Sequence, residues 1–264
     1  MMDTRSFAMV TGASSGIGLE LARQFAAHDF DLLICAENEG IEAAAEGLRT
    51  GGAAVRSVRT DLRTRDGVEE LYAAVLEAAR PLDAAALNAG IGRGGPFLAA
   101  DLEEELDVIR LNVTSTVHLS QLLLRDMVAR DRGRMLITSS IASTMPGAFH
   151  AVYNASKSFL QSFAEALQNE VKDTSVTITS LMPGPTDTDF FHRAKMDDTR
   201  VASGKKEDPS LVARQGFEAL MAGKAKVVGG SVFTKAQMAA SAVMPDTAKA
   251  QLHRLMAERS KDRG

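Results

Sequence analysis

Thr11-Gly12-Ala13-Ser14-Ser15-Gly16-Ile17-Gly18 stands between a short apolar run, Phe7–Val10, and a stretch whose apolar residues Ile17, Leu21 and Phe25 recur every fourth position. A short apolar run reads as a strand, and the four-residue spacing lays its side chains on one face of a helix. The octapeptide is therefore a strand-to-helix turn. Such a junction serves a ligand phosphate when the chain turns sharply, lets its backbone approach closely and packs the helix against the strand. Glycine suits all three, because it lacks Cβ and tolerates positive φ. The helix N-terminus adds free N–H groups and a partial positive charge. The spacing is GxxxGxG rather than GxGxxG. A purely structural turn is the alternative; the position after the first strand of an alternating chain favours dinucleotide binding by Gly12, Ser14, Ser15, Gly16, Ile17 and Gly18.

Outward from this turn the alternation continues. Further apolar runs lie at Leu32–Ala36, Ala54–Val58, Ala84–Leu87, Met135–Thr138, Val176–Met182 and Val227–Val228. Helix-period stretches separate them, such as Val68, Leu71, Tyr72, Val75 and Leu76. Strand and helix in alternation predict an α/β fold: a Rossmann-type, doubly wound, mostly parallel seven-stranded sheet with helices on both faces. Asp83-Ala84-Ala85-Ala86-Leu87 has the local propensity of a helix; its shortness and its place between two helical stretches make it a strand. No repeat or linker divides the chain, so residues 1–264 are expected to form a single domain. Residues 186–208 are polar and charge-rich, contain Gly204, and are expected to be an excursion serving as a substrate lid.

With 264 residues, 45% of them hydrophobic, a net charge of −4 offers no electrostatic footprint for nucleic acid. No apolar run approaches the length of a membrane span. The first strand begins at Phe7 with no basic leader or signal segment, and the lone Cys35 fits a reducing compartment, so a cytoplasmic protein is expected. The histidines show no HxxxH or HxH pairing, and no metal is expected. The runs Glu103-Glu104-Glu105 and Lys205-Lys206 read as solvated faces.

After the fifth strand comes Thr138-Ser139-Ser140, and thirteen residues past Ser140 stands Tyr153 in Tyr153-Asn154-Ala155-Ser156-Lys157. Residues four apart on a helix share a face, so Tyr153 and Lys157 can enter one cleft. A phenol is a poor base at neutral pH, and a nearby ammonium would lower its pKa. Tyr153 could then exchange a proton with an alcohol or carbonyl as hydride moves, with Ser140 holding the substrate oxygen. Ser139 is the rival to Ser140, since a strand one residue shorter exchanges their directions. Tyr72, the other tyrosine, reads as packing.

These residues resemble the short-chain dehydrogenase/reductase family in its single-domain form, and the resemblance covers nearly the whole chain. Thr11–Gly18 looks like the family's TGxxxGxG loop, Asn88-Ala89-Gly90 like its NAG motif, and Asn112 like its helix asparagine. Ser140, Tyr153 and Lys157 match its catalytic trio, and Pro183-Gly184 with Thr188 resembles the stretch on the nicotinamide side. The resemblance implies an NAD(P)-dependent oxidoreductase acting on a small-molecule secondary alcohol or ketone. Tyr153 would be the general acid/base, and Lys157 would lower its pKa and bind the nicotinamide ribose. Ser140 would orient the substrate, and Asn112 would help hold a water relay behind Lys157. Asp61, with Leu62 beside it, matches the family's adenine contact; a helix N-cap is the equal alternative for Asp61. A homodimer or homotetramer is implied as well. A non-catalytic dinucleotide sensor on the same fold is the rival reading; an epimerase or dehydratase would need a larger substrate domain.

The second strand ends at Cys35-Ala36-Glu37-Asn38. A carboxylate here bonds the adenosine ribose, whereas an arginine accommodates a 2′-phosphate. By resemblance, Ala36 stands where NAD-dependent members carry aspartate and Glu37 where NADP-dependent members often carry arginine. Glu37 would repel a 2′-phosphate, so NAD(H) is favoured over NADP(H), with Arg63 the residue that could reverse this. Met145, Phe149, Phe190 and Phe191 are pocket-wall candidates. His150 is expected in an exposed loop rather than in the pocket. Met221, Met238, Met244 and Met256 could cover the pocket or form a subunit contact.

Overall fold

The computed structural model describes residues 5–241 and 244–258. Seven strands make one sheet: β1 (Ser6–Thr11), β2 (Phe30–Ala36), β3 (Val55–Arg59), β4 (Ala84–Leu87), β5 (Gly133–Thr138), β6 (Val176–Pro183) and β7 (Lys226–Gly229). Their order is β3-β2-β1-β4-β5-β6-β7. Every neighbouring pair is parallel, so the sheet is wholly rather than mostly parallel. The reason is connectivity: each strand returns through a helix laid on one face, never through a hairpin. The helices are α1 (Gly16–Ala27), α2 (Gly40–Arg49), α3 (Arg65–Glu77), α4 (Leu102–Ile109), α5 (Ser115–Ala129) and α6 (Ala151–Glu170). The last five are α7 (Phe190–Arg193), α8 (Arg200–Ser203), α9 (Pro209–Met221), α10 (Val232–Ser241) and α11 (Asp246–Ala257).

The period of two along each strand sorts the core into two layers. Phe7 and Met9 point to the face covered by α3, α5 and α6, where Leu71, Leu119, Met127 and Leu160 meet them. Ala8 and Val10 point to the face covered by α1, α2 and α9, against Leu21, Phe25, Ile41 and Phe217. Phe25 meets Phe30 and Phe217 edge-on, each at 5.1 Å between centroids. Burying each such ring contributes about 1.5–3 kcal/mol.

The alanine-rich β4 is a strand because both of its edges are paired, Ala85 with Met9 and with Met135. Four residues cannot offset the cost of nucleating a helix, whereas the sheet satisfies their backbone on both sides. On α3, Val68, Leu71 and Val75 define the buried stripe, and Leu76, one residue past it, points to solvent. Glu105 corrects the expectation of a fully solvated acidic run. It shares the inward face of α4 with Val108, is buried, and burial raises its pKa against the pull of Arg93.

Strand order reverses between β1 and β4, which opens a crevice at the carboxyl ends of the sheet. Residues 186–208 leave the end of β6, carry α7 and α8, and return beside their own start through a bridge between Thr186 and Glu207. Phe191, Ala194, Met196 and Ala202 of this segment pack with Ala257 of α11 in a small apolar cluster of their own.

Candidate active site

One cleft runs across the crevice, and the glycine loop forms its floor. Gly12 and Gly16 hold φ of +68° and +56°, values that side chains resist. A Cβ on Gly12 would lie 2.9 Å from the Ala89 Cα, and one on Gly16 the same distance from the Thr188 methyl. Thr11 Oγ1 accepts from the N–H groups of Asn88 and Ala89, both at 3.0 Å, which ties the exit of β4 to the exit of β1. Thr138 donates to Asn88 Oδ1 at 3.2 Å, adding the exit of β5. Ser15 precedes α1 in extended conformation and makes no capping side-chain bond. The first-turn residues Gly16, Ile17 and Gly18 line the cleft beside Ser14 and Ser15. Backbone donors of an uncapped helix start, in a cradle that side chains would fill, fit a pyrophosphate.

At one end the cleft is lined by Glu37, Asn38, Asp61 and Leu62. Asp61 is not a helix N-cap. Thr64 caps α3, accepting from Gly67 N, while Asp61 accepts from the backbone and guanidinium of Arg63. That bond holds the Asp61 carboxyl below its ordinary range. Arg63 also meets Glu37 and Asp107, each at 3.1 Å. Three carboxylates thus share one guanidinium, and Asp107 bonds Arg110 as well.

Further along, Asn88, Ala89, Gly90, Pro183, Gly184 and Thr188 all line the cleft, as do Ser140, Tyr153 and Lys157. Tyr153 lies in the first turn of α6 and Lys157 one turn later. Lys157 Nζ donates to Thr138 O at 2.9 Å and lies 5.9 Å from the Tyr153 ring centroid. The rivalry between the two serines resolves by direction. Ser139 spends its hydroxyl on Lys157 O at 2.9 Å, anchoring α6, while the Ser140 hydroxyl accepts from Ala142 N at 3.1 Å and is the one that acts on the Tyr153 phenol, lowering its pKa.

Burial sets the titration of the pair. It pushes the Tyr153 phenol up to about 12, opposed only by the Ser140 bond, and pushes the Lys157 ammonium down to about 8. Desolvation dominates the phenol here, and the Lys157 Nζ donates to a main-chain carbonyl. A phenol protonated at neutral pH, beside a hydroxyl that can share a substrate oxygen, is an arrangement able to deliver a proton.

Asn112 does not line the cleft. It is fully buried in a π-helical turn, Arg110–Thr114, between α4 and α5. Its amide bonds both the N–H and the C=O of Ile91, each at 2.9 Å, and donates to Ser156 at 2.9 Å. It therefore joins the loop after β4 to α6, directly behind Gly90. A Cβ on Gly90 would lie 3.1 Å from Asn112 Oδ1 and 3.3 Å from Lys157 Nζ.

The far end of the cleft was the part least visible in the sequence. Met145, Phe190 and Phe191 line it as anticipated, with Val201, Met256 and Ala257, while Phe149 packs behind against the third apolar cluster. Of the four methionines considered, only Met256 faces the cleft; Met221 lines a separate shallow groove beside His28. His150 corrects its expectation: it is 6% exposed and lines the cleft, its ring 5.0 Å from that of Tyr153. Gln237 and His253 arrive from α10 and α11 and carried no signal in the sequence, since the chain's fold alone brings them here. Cys35 is buried, and burial raises its thiol pKa to about 12, as befits a packing residue. Among the described residues no group of side chains could hold a metal ion, and no helix is long and apolar enough to cross a membrane.

Comparison with known proteins gives a consistent picture. A sequence model of the short chain dehydrogenase family matches residues 6–199. A ketoacyl reductase assigned in Streptomyces coelicolor is 36% identical over 67% of this chain and 69% of its own length. A single-substitution variant of the actinorhodin polyketide ketoreductase, solved with NADPH, is 28% identical and superposes over 86% of this chain and 96% of its own with a TM-score of 0.77. A short chain dehydrogenase/reductase from Burkholderia phymatum, solved in complex with NAD, shares the fold with a TM-score of 0.82 over 95% of this chain and 97% of its own, at 24% identity.

Proposed function

The chain belongs to the short chain dehydrogenase family, a family of oxidoreductases, and from that premise we propose that it reduces the ketone of a small organic substrate, using NAD(H) in preference to NADP(H). The observation that carries the reading is the convergence of Ser140, Tyr153 and Lys157 in the same cleft that the glycine loop floors. The ketoreductase relatives support a carbonyl as the reacting group. A nicotinamide bound in this cleft supplies or receives the hydride. The protein's part is to hold the two reactants in register and move one proton. Ser140 fixes the substrate oxygen against the Tyr153 hydroxyl, and Tyr153 gives that oxygen its proton. Lys157 keeps the nicotinamide ribose and, with Asn112 behind it, the geometry of the first turn of α6. Residues 186–208 close over the reacting atoms and exclude water; their single-bridge stem and their separate apolar cluster support this lid role. One domain, residues 1–264, carries the whole site.

The preference for NAD(H) rests on the charge around Arg63. Its guanidinium is spent on Glu37, Asp61 and Asp107, so a 2′-phosphate would meet carboxylates around a cation already paired. Titration of the protein with NADH and NADPH, followed by nicotinamide fluorescence, is expected to show tighter NADH binding. Glu37→Ala removes one carboxylate and frees a contact of Arg63, and is expected to improve NADPH binding relative to NADH by about tenfold. Tighter NADPH binding by the unaltered protein would reverse the assignment. Binding of neither would remove the basis for the oxidoreductase chemistry.

Burial of the phenol fixes an expected pH response. Reduction needs Tyr153 protonated, and with its pKa pushed up to about 12 that form persists well past neutrality. Oxidation of the corresponding alcohol needs the phenolate, whose fraction rises about tenfold per pH unit below the pKa. Ketone reduction is expected to hold nearly level from about pH 6 to 8 while alcohol oxidation climbs. A steep fall of reduction across that range would show that the proton comes from a more acidic group.

A further inference from the structure

The family match ends at residue 199, so Gln237, His253, Met256 and Ala257 reach the cleft from a part of the chain outside it. They meet the body of the fold at His150. The His150 ring lies between that of Tyr153, 5.0 Å away, and that of His253, 6.0 Å away. His253 is itself oriented by Ala148 O, 2.9 Å from its Nδ1, and a carbonyl can only accept, so that nitrogen carries a proton. Phe190 packs on Tyr153 at 5.1 Å, and Met145, Phe191 and Met256 make the surrounding wall apolar. In this wall His150 Nε2 is buried and has no hydrogen-bond partner among the described residues. A buried polar atom left so costs about 1–3 kcal/mol, which a ligand group can recover.

We propose that His150, positioned by His253, is a specificity-determining residue that donates a hydrogen bond from Nε2 to a second oxygen of the substrate, set a few bonds from the ketone that Tyr153 protonates. This rests on the carbonyl-reductase reading and deepens it. The His150 and Tyr153 rings are neighbours, 5.0 Å apart between centroids, and the substrate class proposed is a compound with a second oxygen close to the ketone and an apolar tail, such as a 1,3-dicarbonyl. Burial and the neighbouring His253 hold the His150 pKa down at about 3, so near neutral pH the ring is uncharged, and the tautomer with its proton on Nε2 is a donor suited to a neutral oxygen rather than to a carboxylate. A pocket with such a donor discriminates against an analogue lacking the acceptor, because the polar group is then left unpaired.

The test uses the full chain with NADH and two ketones of matched length, ethyl 3-oxohexanoate and 4-nonanone, the second having methylenes in place of the ester carbonyl and oxygen. The ester is the more electrophilic, so the informative quantity is how the ratio of their kcat/KM values changes on substitution. His150→Phe is expected to lower that ratio about tenfold, chiefly through KM of the ester, and His150→Gln, which keeps an N–H donor, to restore most of it. Should the phenylalanine fail to fit, His150→Leu carries the same expectation. An unmoved ratio in these variants, or a glutamine variant as impaired as the phenylalanine one, overturns the role of His150 while leaving carbonyl reduction standing. If the unaltered protein reduces neither ketone but binds NADH, the carbonyl-reductase reading itself falls, and the role of His150 with it.

Discussion

Tyr153→Phe is expected to lower kcat by about a thousandfold while leaving the Kd for reduced nicotinamide within about twofold of the unaltered protein. The substitution removes one oxygen and nothing else. The ring keeps its contacts with His150 and Phe190, at 5.0 Å and 5.1 Å, and the start of α6 keeps its place. The Ser140 hydroxyl still accepts from Ala142 N at 3.1 Å, so the stability cost stays at about 0.5–1.5 kcal/mol. What disappears is the buried hydroxyl proposed to give a substrate oxygen its proton. Single-turnover rates and fluorescence titration on the same preparation separate the two quantities. A variant that loses affinity and turnover together would make Tyr153 a structural member of the cleft; one that keeps its turnover would move the proton transfer to another group.

Gly18→Ala is expected to raise the nicotinamide Kd by at least about a hundredfold and to lower the melting temperature by a few degrees. A Cβ at Gly18 would lie well inside van der Waals contact distance of the Gly12 carbonyl oxygen and 2.7 Å from Asn88 Nδ2. The nearer obstacle is backbone and cannot rotate away, so the helix must part from the loop. Overpacking of this kind costs about 1–3 kcal/mol. The larger effect is on binding, because the first turn of α1, the Gly12 turn and Asn88 together form the floor of the cleft. Gly47→Ala provides the control. It lies in α2 with nothing within 4 Å of the added methyl, and alanine there is expected to leave binding unchanged and to stabilise by up to about 1 kcal/mol. Dinucleotide binding that survives Gly18→Ala would mean that the cradle is not where the phosphates lie.

The residues proposed to bind or react through backbone or local spacing were legible in the chain itself. The glycine loop declares its own geometry, because positive φ at Gly12 and Gly16 and close approach at Gly18 each demand the absence of a side chain. Tyr153 and Lys157 declare theirs, because four residues of helix fix their common face. The strand runs agree with the sheet to within two residues, because β1, β2 and β4 are buried along nearly their whole length and stay apolar over most of it. The polar Asp31 in β2 is paired with Arg5 and Arg80 at the edge of the core.

Other features needed the fold. Ala84–Leu87 has no strand propensity of its own, and only pairing with β1 and β5 makes it one. Glu37 and Arg63 lie on separate loops, so their contact, and with it the balance of charge at the adenosine end, appears only when β2 and β3 stand side by side. His150 and His253 are 103 positions apart and share no local pattern; α11 folds back over the cleft and brings them face to face. The sequence by itself determined the sheet, the glycine cradle and the shared face of Tyr153 and Lys157, because each is set by interactions within a few residues or by a strict repeat. The tertiary structure decided which serine turns inward, how burial sets the Tyr153 and Lys157 protons, and what walls the substrate end. Those depend on desolvation and on contacts between distant segments, and neither is a property of a local stretch of chain.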